Sequence, residues 1–324
     1  MSSIHSRHLV DAELGPMLEL FPATALSEET LAEARARALP LPIDPAAEAA
    51  VISEERRVPG PVGAPEVEIF HHRPRAATGD LPCILHIHGG GYVMGSARSM
   101  APLHKPLVQA LGCAMIAVEY RLAPETRAPG AVEDCYAALT WLAAHTGEIG
   151  VDPARIGVMG ESAGGGLAAA LALLARDRAE HRLAFQHLIY PMLDDRTSAD
   201  NAAIHPFAGE FIWTHHNNRF GWGALLGPAV GSDTVSPYAA PARAESLAGL
   251  PPTFISSGAL DLFVEEDVDY ARRLIRAGVP TELHVYPGAF HGFDFAPDAE
   301  VARRARGDSR AALARALARN SPRG

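Results

Sequence analysis

A chain of 324 residues, 48% apolar and 20% charged, can bury a large soluble α/β core, as one domain with insertions or as two. Its formal charge of −10 speaks against nucleic acid or anionic lipid as partner, and its longest apolar stretch, residues 164–175, is too short to span a membrane. Cys83, Cys113 and Cys135 form no C-x-x-C pair and leave an odd thiol, so a reduced, cytoplasmic protein is the simplest reading. The polar run from Met1 to His8 has no apolar segment behind it, so no secretory leader is expected.

Residues 1–50 read as helical, with Ser27 as an N-cap, Thr30 at the third position, and Pro40, Pro42 and Pro45 as the stop. Their apolar stripe (Leu18, Leu20 and Phe21, broken by Glu13 and Glu19) marks them as part of a cap. Val58, Val67, Ile69 and Phe70 mark two strands between Arg56 and Arg73. Pro82 to His88 is a buried strand that runs into Gly89-Gly90-Gly91-Tyr92. Successive glycines leave backbone N–H groups uncovered, as an oxyanion hole needs; the spacing matches neither the dinucleotide fingerprint nor a P-loop. His86 and His88 share one strand face, yet no third ligand stands at metal-binding spacing, and His88 is expected to fix the glycine loop instead.

A helix over 101–111 and a strand over 113–118 lead to Tyr120-Arg121-Leu122-Ala123-Pro124-Glu125, where Arg121 and Glu125 are expected to pair beneath the glycine loop. An amphipathic helix over 131–145 precedes the strand 155–159. Then comes Gly160-Glu161-Ser162-Ala163-Gly164, followed by a run of helix formers. Strand, tight turn and helix are the context in which G-x-S-x-G marks a nucleophile, and glycines flank the serine because side chains there would collide with the packed strand and helix. After a strand over 183–190 the periodicity breaks: residues 194–236 carry Phe207, Phe211, Ile212, Trp213, Phe220 and Trp222 among polar residues and read as an insertion over the sheet. The sheet resumes at 252–257 and ends on Asp261; a helix over 264–277 stops at Gly278; the strand 281–286 leads to His291; a helix over 303–318 closes the chain. Alternating strands and helices predict a mostly parallel sheet.

Ser162, Asp261 and His291 each follow a predicted strand, in an order that puts nucleophile, acid and base at one sheet edge. Asp261 is chosen over Glu265, Glu266, Asp267 and Asp269 because it directly follows a strand, whereas those on the ensuing helix are expected mostly to face solvent.

His88-Gly89-Gly90-Gly91-Tyr92, Tyr120 to Glu125, Gly160 to Gly165 and His291-Gly292-Phe293 resemble the bacterial hormone-sensitive-lipase-type (family IV) carboxylesterases, over roughly residues 56–320. The resemblance implies an α/β-hydrolase fold, a mostly parallel eight-stranded sheet flanked by helices with a helical cap. It implies cap helices at 1–50, core at 51–193, a cap insertion at 194–236 and core again at 237–324. It implies catalysis by Ser162, Asp261 and His291, oxyanion donors from Gly89, Gly90 and Ala163, and neither metal nor organic cofactor. Tyr92, Phe211, Trp213, Phe263 and Phe293 are the candidates for the substrate pocket. Two departures stand out: Glu161 where aspartate or threonine is usual, and Leu262-Phe263 where Pro-Leu is usual. The expected function is hydrolysis of short- to medium-chain carboxylic esters, small-molecule substrates, through an acyl-enzyme. An amidase, a lactonase or a non-catalytic receptor on the same fold remain alternatives, and a homodimer stays open.

Overall fold

The computed structural model describes residues 6–20, 24–37, 41–199 and 205–318. Short helices α1 (Gly15–Leu20), α2 (Leu31–Ala36) and α3 (Pro45–Ala50) precede the sheet. Ser27 and Thr30 exchange backbone-to-hydroxyl bonds (2.9 and 3.2 Å) in the turn leading into α2, where Thr30, not Ser27, immediately precedes the helix. Pro45 opens a helix rather than ending one. It stands in the first turn, where a missing N–H costs nothing, and the Asp44 carboxylate accepts from Ala46 N at 2.8 Å. Pro40 and Phe21 lie outside the described residues.

Eight strands follow: β1 (Val51–Val58), β2 (Val67–Pro74), β3 (Leu81–Ile87), β4 (Ala114–Glu119), β5 (Val151–Glu161), β6 (Gln186–Ile189), β7 (Thr253–Gly258) and β8 (Thr281–Tyr286). They lie in the order β1-β2-β4-β3-β5-β6-β7-β8. β1 and β2 pair antiparallel, as do β2 and β4; every pair from β4 to β8 is parallel. The β1 strand starts at Val51, ahead of the Arg56 expected from the sequence, because Val51 to Val58 all find register partners on β2.

The remaining helices are α4 (Ala101–Leu111), α5 (Gly130–Ala144), α6 (Thr146–Ile149), α7 (Ala163–Arg178), α8 (His215–Leu226), α9 (Val264–Arg276) and α10 (Glu300–Ala318). Packing on both faces explains why β3 and β4 read as continuous apolar runs. Ile84, Leu85 and Ile87 are fully buried, and truncating any one to alanine is expected to cost about 2–5 kcal/mol. The mostly parallel sheet therefore delivers the ends of β3, β5 and β7 to one edge.

The N-terminal segment is tied to α8. Leu26 N donates to Asn217 Oδ1 (2.9 Å), Asn217 Nδ2 to Thr24 O (3.0 Å), and His216 Nε2 to Leu26 O (2.9 Å). The first described residue, Ser6, donates through N and Oγ to Glu210. No described helix is long and apolar enough to cross a membrane.

Candidate active site

β5 ends in a turn that only small flanking residues allow. A Cβ on Gly160 would lie 2.2 Å from Gly164 O, and one on Gly164 only 2.1 Å from Ile87 O. Between them Ser162 sits at φ 57° and ψ −123°, a conformation L-residues rarely adopt and one that the surrounding packing must hold. Ser162 N donates to Ile189 O (2.9 Å), while Ser162 O accepts from Gly166 N (3.0 Å) and Met192 N (2.9 Å). The hydroxyl therefore stands at the N-terminus of α7, where backbone donors lack helical partners and the dipole favours negative charge.

Asp261 follows β7 and His291 follows β8. With its proton on Nδ1, His291 donates to Asp261 Oδ2 at 2.8 Å; Ser162 Oγ donates to His291 Nε2 at 2.9 Å. All three are buried, Asp261 completely. Phe263 N donates to the other Asp261 oxygen at 3.0 Å, so both oxygens are engaged. The His291 ring meets the edge of Tyr190 (4.7 Å between centroids) and Phe263 (5.3 Å). Tyr190 in turn donates its hydroxyl to Asp294 at 2.7 Å.

The glycine loop abuts this turn. A Cβ on Gly89 would fall 3.3 Å from Ser162 Cβ and 2.9 Å from Glu161 O. Gly90, at φ +120°, accepts through its carbonyl from Val93 N (3.1 Å) and Met94 N (3.0 Å). Ala163, the first residue of α7, contributes one of the unpaired donors of a helix start. The root of the loop is fixed by His88, whose Nδ1 donates to Gly89 O (2.8 Å), and by Tyr120, whose hydroxyl donates to His88 O (2.9 Å) and whose ring stacks on the imidazole at 4.2 Å. Burial pushes the His88 pKa down to about 4, so the ring is neutral at pH 7. A hydroxyl, an imidazole and a carboxylate in hydrogen-bonded series, beside a glycine loop and a helix N-terminus, are equipped for acyl transfer.

The five pocket candidates do not converge. Phe263 flanks His291, and Trp213 lies 6.3 Å from it. Phe211 packs at a tilt against Phe290, 5.8 Å between centroids. Tyr92, buried beneath the glycine loop, donates to Met192 O and faces Trp222. Phe293 is buried against Tyr286.

Two expectations are corrected. Arg121 and Glu125 do not pair. Arg121 forks onto Asp134 of α5, whose carboxylate is buried and needs a cation (2.7 and 2.8 Å), while Glu125 pairs with Arg35 of α2 (2.7 and 2.8 Å). On α9, Glu266 and Asp267 do not face solvent; both are buried, and burial pushes both carboxyls well above their ordinary range. Glu266 accepts from Leu193 N at 2.7 Å. Glu161, the residue preceding Ser162, contacts His86 Nε2 at 2.9 and 3.1 Å, a partner with no signal in the sequence. Among the described residues no group of three or more His, Cys, Asp or Glu is placed to hold a metal ion, and all three cysteines are buried thiols.

A family model described as alpha/beta hydrolase fold matches residues 84–295. Carboxylesterase NlhH of Mycobacterium tuberculosis is 33% identical over 322 residues, covering 95% of this chain and 96% of the relative. Ethyl acetate hydrolase of Pseudomonas putida is 34% identical over 211 residues, 65% of each chain. The solved structure titled Bacterial Heroin Esterase superposes with a TM-score of 0.87 at 39% identity, over 97% of this chain and all of the other.

Proposed function

The chain belongs to the alpha/beta hydrolase fold family, among the bacterial hormone-sensitive-lipase-type (family IV) carboxylesterases, and is a carboxylic ester hydrolase; from that premise we propose that it cleaves soluble short- to medium-chain esters through an acyl-enzyme on Ser162. The observation that carries this reading is the unbroken series Ser162 Oγ, His291, Asp261 at 2.9 and 2.8 Å.

A serine hydroxyl is too weak an acid to attack an ester unaided. His291 Nε2 takes its proton as Oγ bonds to the ester carbonyl carbon. Asp261 holds the tautomer and stabilises the imidazolium. The oxyanion that forms is met by the N–H groups of Gly89, Gly90 and Ala163. The tetrahedral species then breaks its bond to the alcohol oxygen, which leaves with the proton from His291. Water, deprotonated by His291, attacks the acyl group on Ser162, and the acid departs as the serine recovers its proton.

The surroundings of this series support a preference for small soluble substrates. Trp213 and Phe263 stand beside His291, with ring centroids 6.3 and 5.3 Å from the imidazole. Docking on a lipid interface needs a wide exposed apolar face. Here Glu210, the partner of Ser6, and the exposed His216 and Arg219 of α8 interrupt the apolar residues of 205–226. Of the large apolar side chains in that stretch, Phe207 is the exposed one. Ethyl acetate, in the name of one relative, is likewise a small soluble ester.

The best acyl chains should have about four to eight carbons, each methylene contributing up to ~0.8 kcal/mol until the acyl chain outgrows its site. A p-nitrophenyl series from acetate to palmitate, with a tributyrin titration through its solubility limit, tests this. A maximum at palmitate, or a jump in rate at the limit, would contradict it.

A further inference from the structure

We propose that Arg35, on the N-terminal helix α2, is a positioning residue that holds the glycine loop in its oxyanion-binding geometry; this rests on the assignment of Gly89 and Gly90 as donors. Arg35 Nε donates to Val93 O (2.7 Å) and Nη2 to Ala123 O (2.9 Å), and the guanidinium forks onto Glu125 (2.7 and 2.8 Å). The two carbonyls belong to the two loops that meet beneath the glycines. Val93 N and Met94 N close the turn on Gly90 O, and Ala123 N donates to Tyr92 O at 2.9 Å. One side chain thus fastens the far end of the glycine turn to the loop after β4, from a segment nearly sixty residues upstream of Val93.

The ion pair alone is a weak reason for this arginine. The Glu125 side chain is 62% exposed, and exposed pairs contribute little. The two backbone carbonyls are what only a rigid fork can serve together, and a lysine point charge cannot replace it. A helix as short as α2 does not hold itself in place either, so the contact also anchors the N-terminal segment over the loop.

Oxyanion contacts form in the transition state and not with bound substrate, so loosening the loop should lower kcat and spare KM. Arg35→Ala is expected to lose roughly 10- to 100-fold in kcat per active site titrated with a fluorophosphonate, a fraction of the loss on removing one donor outright. KM for p-nitrophenyl butyrate should stay within about twofold. Affinity for a trifluoromethyl ketone, which mimics the tetrahedral species, should fall in parallel with kcat. Arg35→Lys should resemble Arg35→Ala and serves in its place if the alanine variant does not fold. Glu125→Gln, which leaves both carbonyl bonds, should stay near wild type. Wild-type kcat per titrated site in Arg35→Lys, or a loss in kcat with unchanged ketone affinity, would overturn the proposal. Failure of the fluorophosphonate to label Ser162 in the wild-type enzyme would instead overturn the acyl-enzyme reading beneath it.

Discussion

The Trp213 indole rests on the bare Cα of Gly91: a Cβ there would fall 2.0 Å from Cη2 and 2.6 Å from Cζ2. Gly91 also stands at φ +60°, so any side chain is strained as well as obstructed. Trp213 is held from the other side by Asn218 Oδ1, which accepts from its Nε1 at 3.3 Å. The glycine loop and the segment carrying Trp213 therefore set each other's position beside His291.

Gly91→Ala should lower kcat/KM by at least about tenfold, because the indole must move and the loop with it. Trp213→Ala should cost about 3–5 kcal/mol of stability and admit longer acyl chains. In the double variant the alanine at 91 should cost much less than in the wild type, since its obstruction is gone. Steady-state kinetics and thermal melts of the three variants check this. Equal penalties in both backgrounds would mean the contact has no influence on the site.

Asp261, just before α9, and Asp267, within it, are both fully buried and should behave oppositely. Asp261→Asn is expected to lose about four orders of magnitude in kcat, since the amide favours the wrong imidazole tautomer. Asp267→Asn should stay active, as should Asp269→Asn on the exposed side of α9. Asp267 has its folded pKa raised above the ordinary value, chiefly by burial and then by Glu266 and Asp261. A raised carboxyl stabilises the fold at low pH and loses that contribution as pH rises toward its folded value. Asparagine cannot ionise, so the Tm advantage of Asp267→Asn should grow between pH 5 and pH 8. An inactive Asp267→Asn, or an advantage that shrinks with pH, would count against this assignment.

Much of this site was legible in the chain because its chemistry is local. The Gly160-Glu161-Ser162-Ala163-Gly164 turn is fixed by contacts within a few residues and one neighbouring strand, and Asp261 and His291 follow strands whose apolar runs are plain. The partners of Arg121, Glu125 and Arg35 were not legible. Each is chosen by how α2, α5 and the loops pack, and several residues compete for each charge. The burial of Glu266 and Asp267 lay within reach: Tyr270, Ala271 and Leu274 define the apolar face of α9, and the two acids stand one turn earlier on the same stripe. Their charge argued for solvent, and the helical period prevailed.

A cluster of buried histidines should weaken the fold as pH falls. His72 and His86 of β2 and β3 pack on His104 of α4 at 5.4 and 4.3 Å between ring centroids. Burial lowers His71 and His72 to about 4 and carries His104 well below its ordinary value. A histidine depressed in the fold stabilises it above pH ~6.5 and loses that contribution as pH falls toward the folded value, by up to about 1.4 kcal/mol per pH unit for each group. Neither nitrogen of His104 has a hydrogen-bond partner among the described residues. His104→Leu should therefore reduce the slope of stability against pH between about 6.5 and 4 by up to one proton. Denaturant melts across that window measure it, and an unchanged slope would exclude His104 from the acid transition.

The central claim is that Ser162 is the nucleophile. It is tested most directly by the rate at which purified, folded Ser162→Ala hydrolyses p-nitrophenyl butyrate. The hydrogen-bonded series through His291 to Asp261 predicts a fall of at least about three orders of magnitude, to near background, with the melting profile of a folded protein retained. Hydrolysis at close to the wild-type rate would contradict the account.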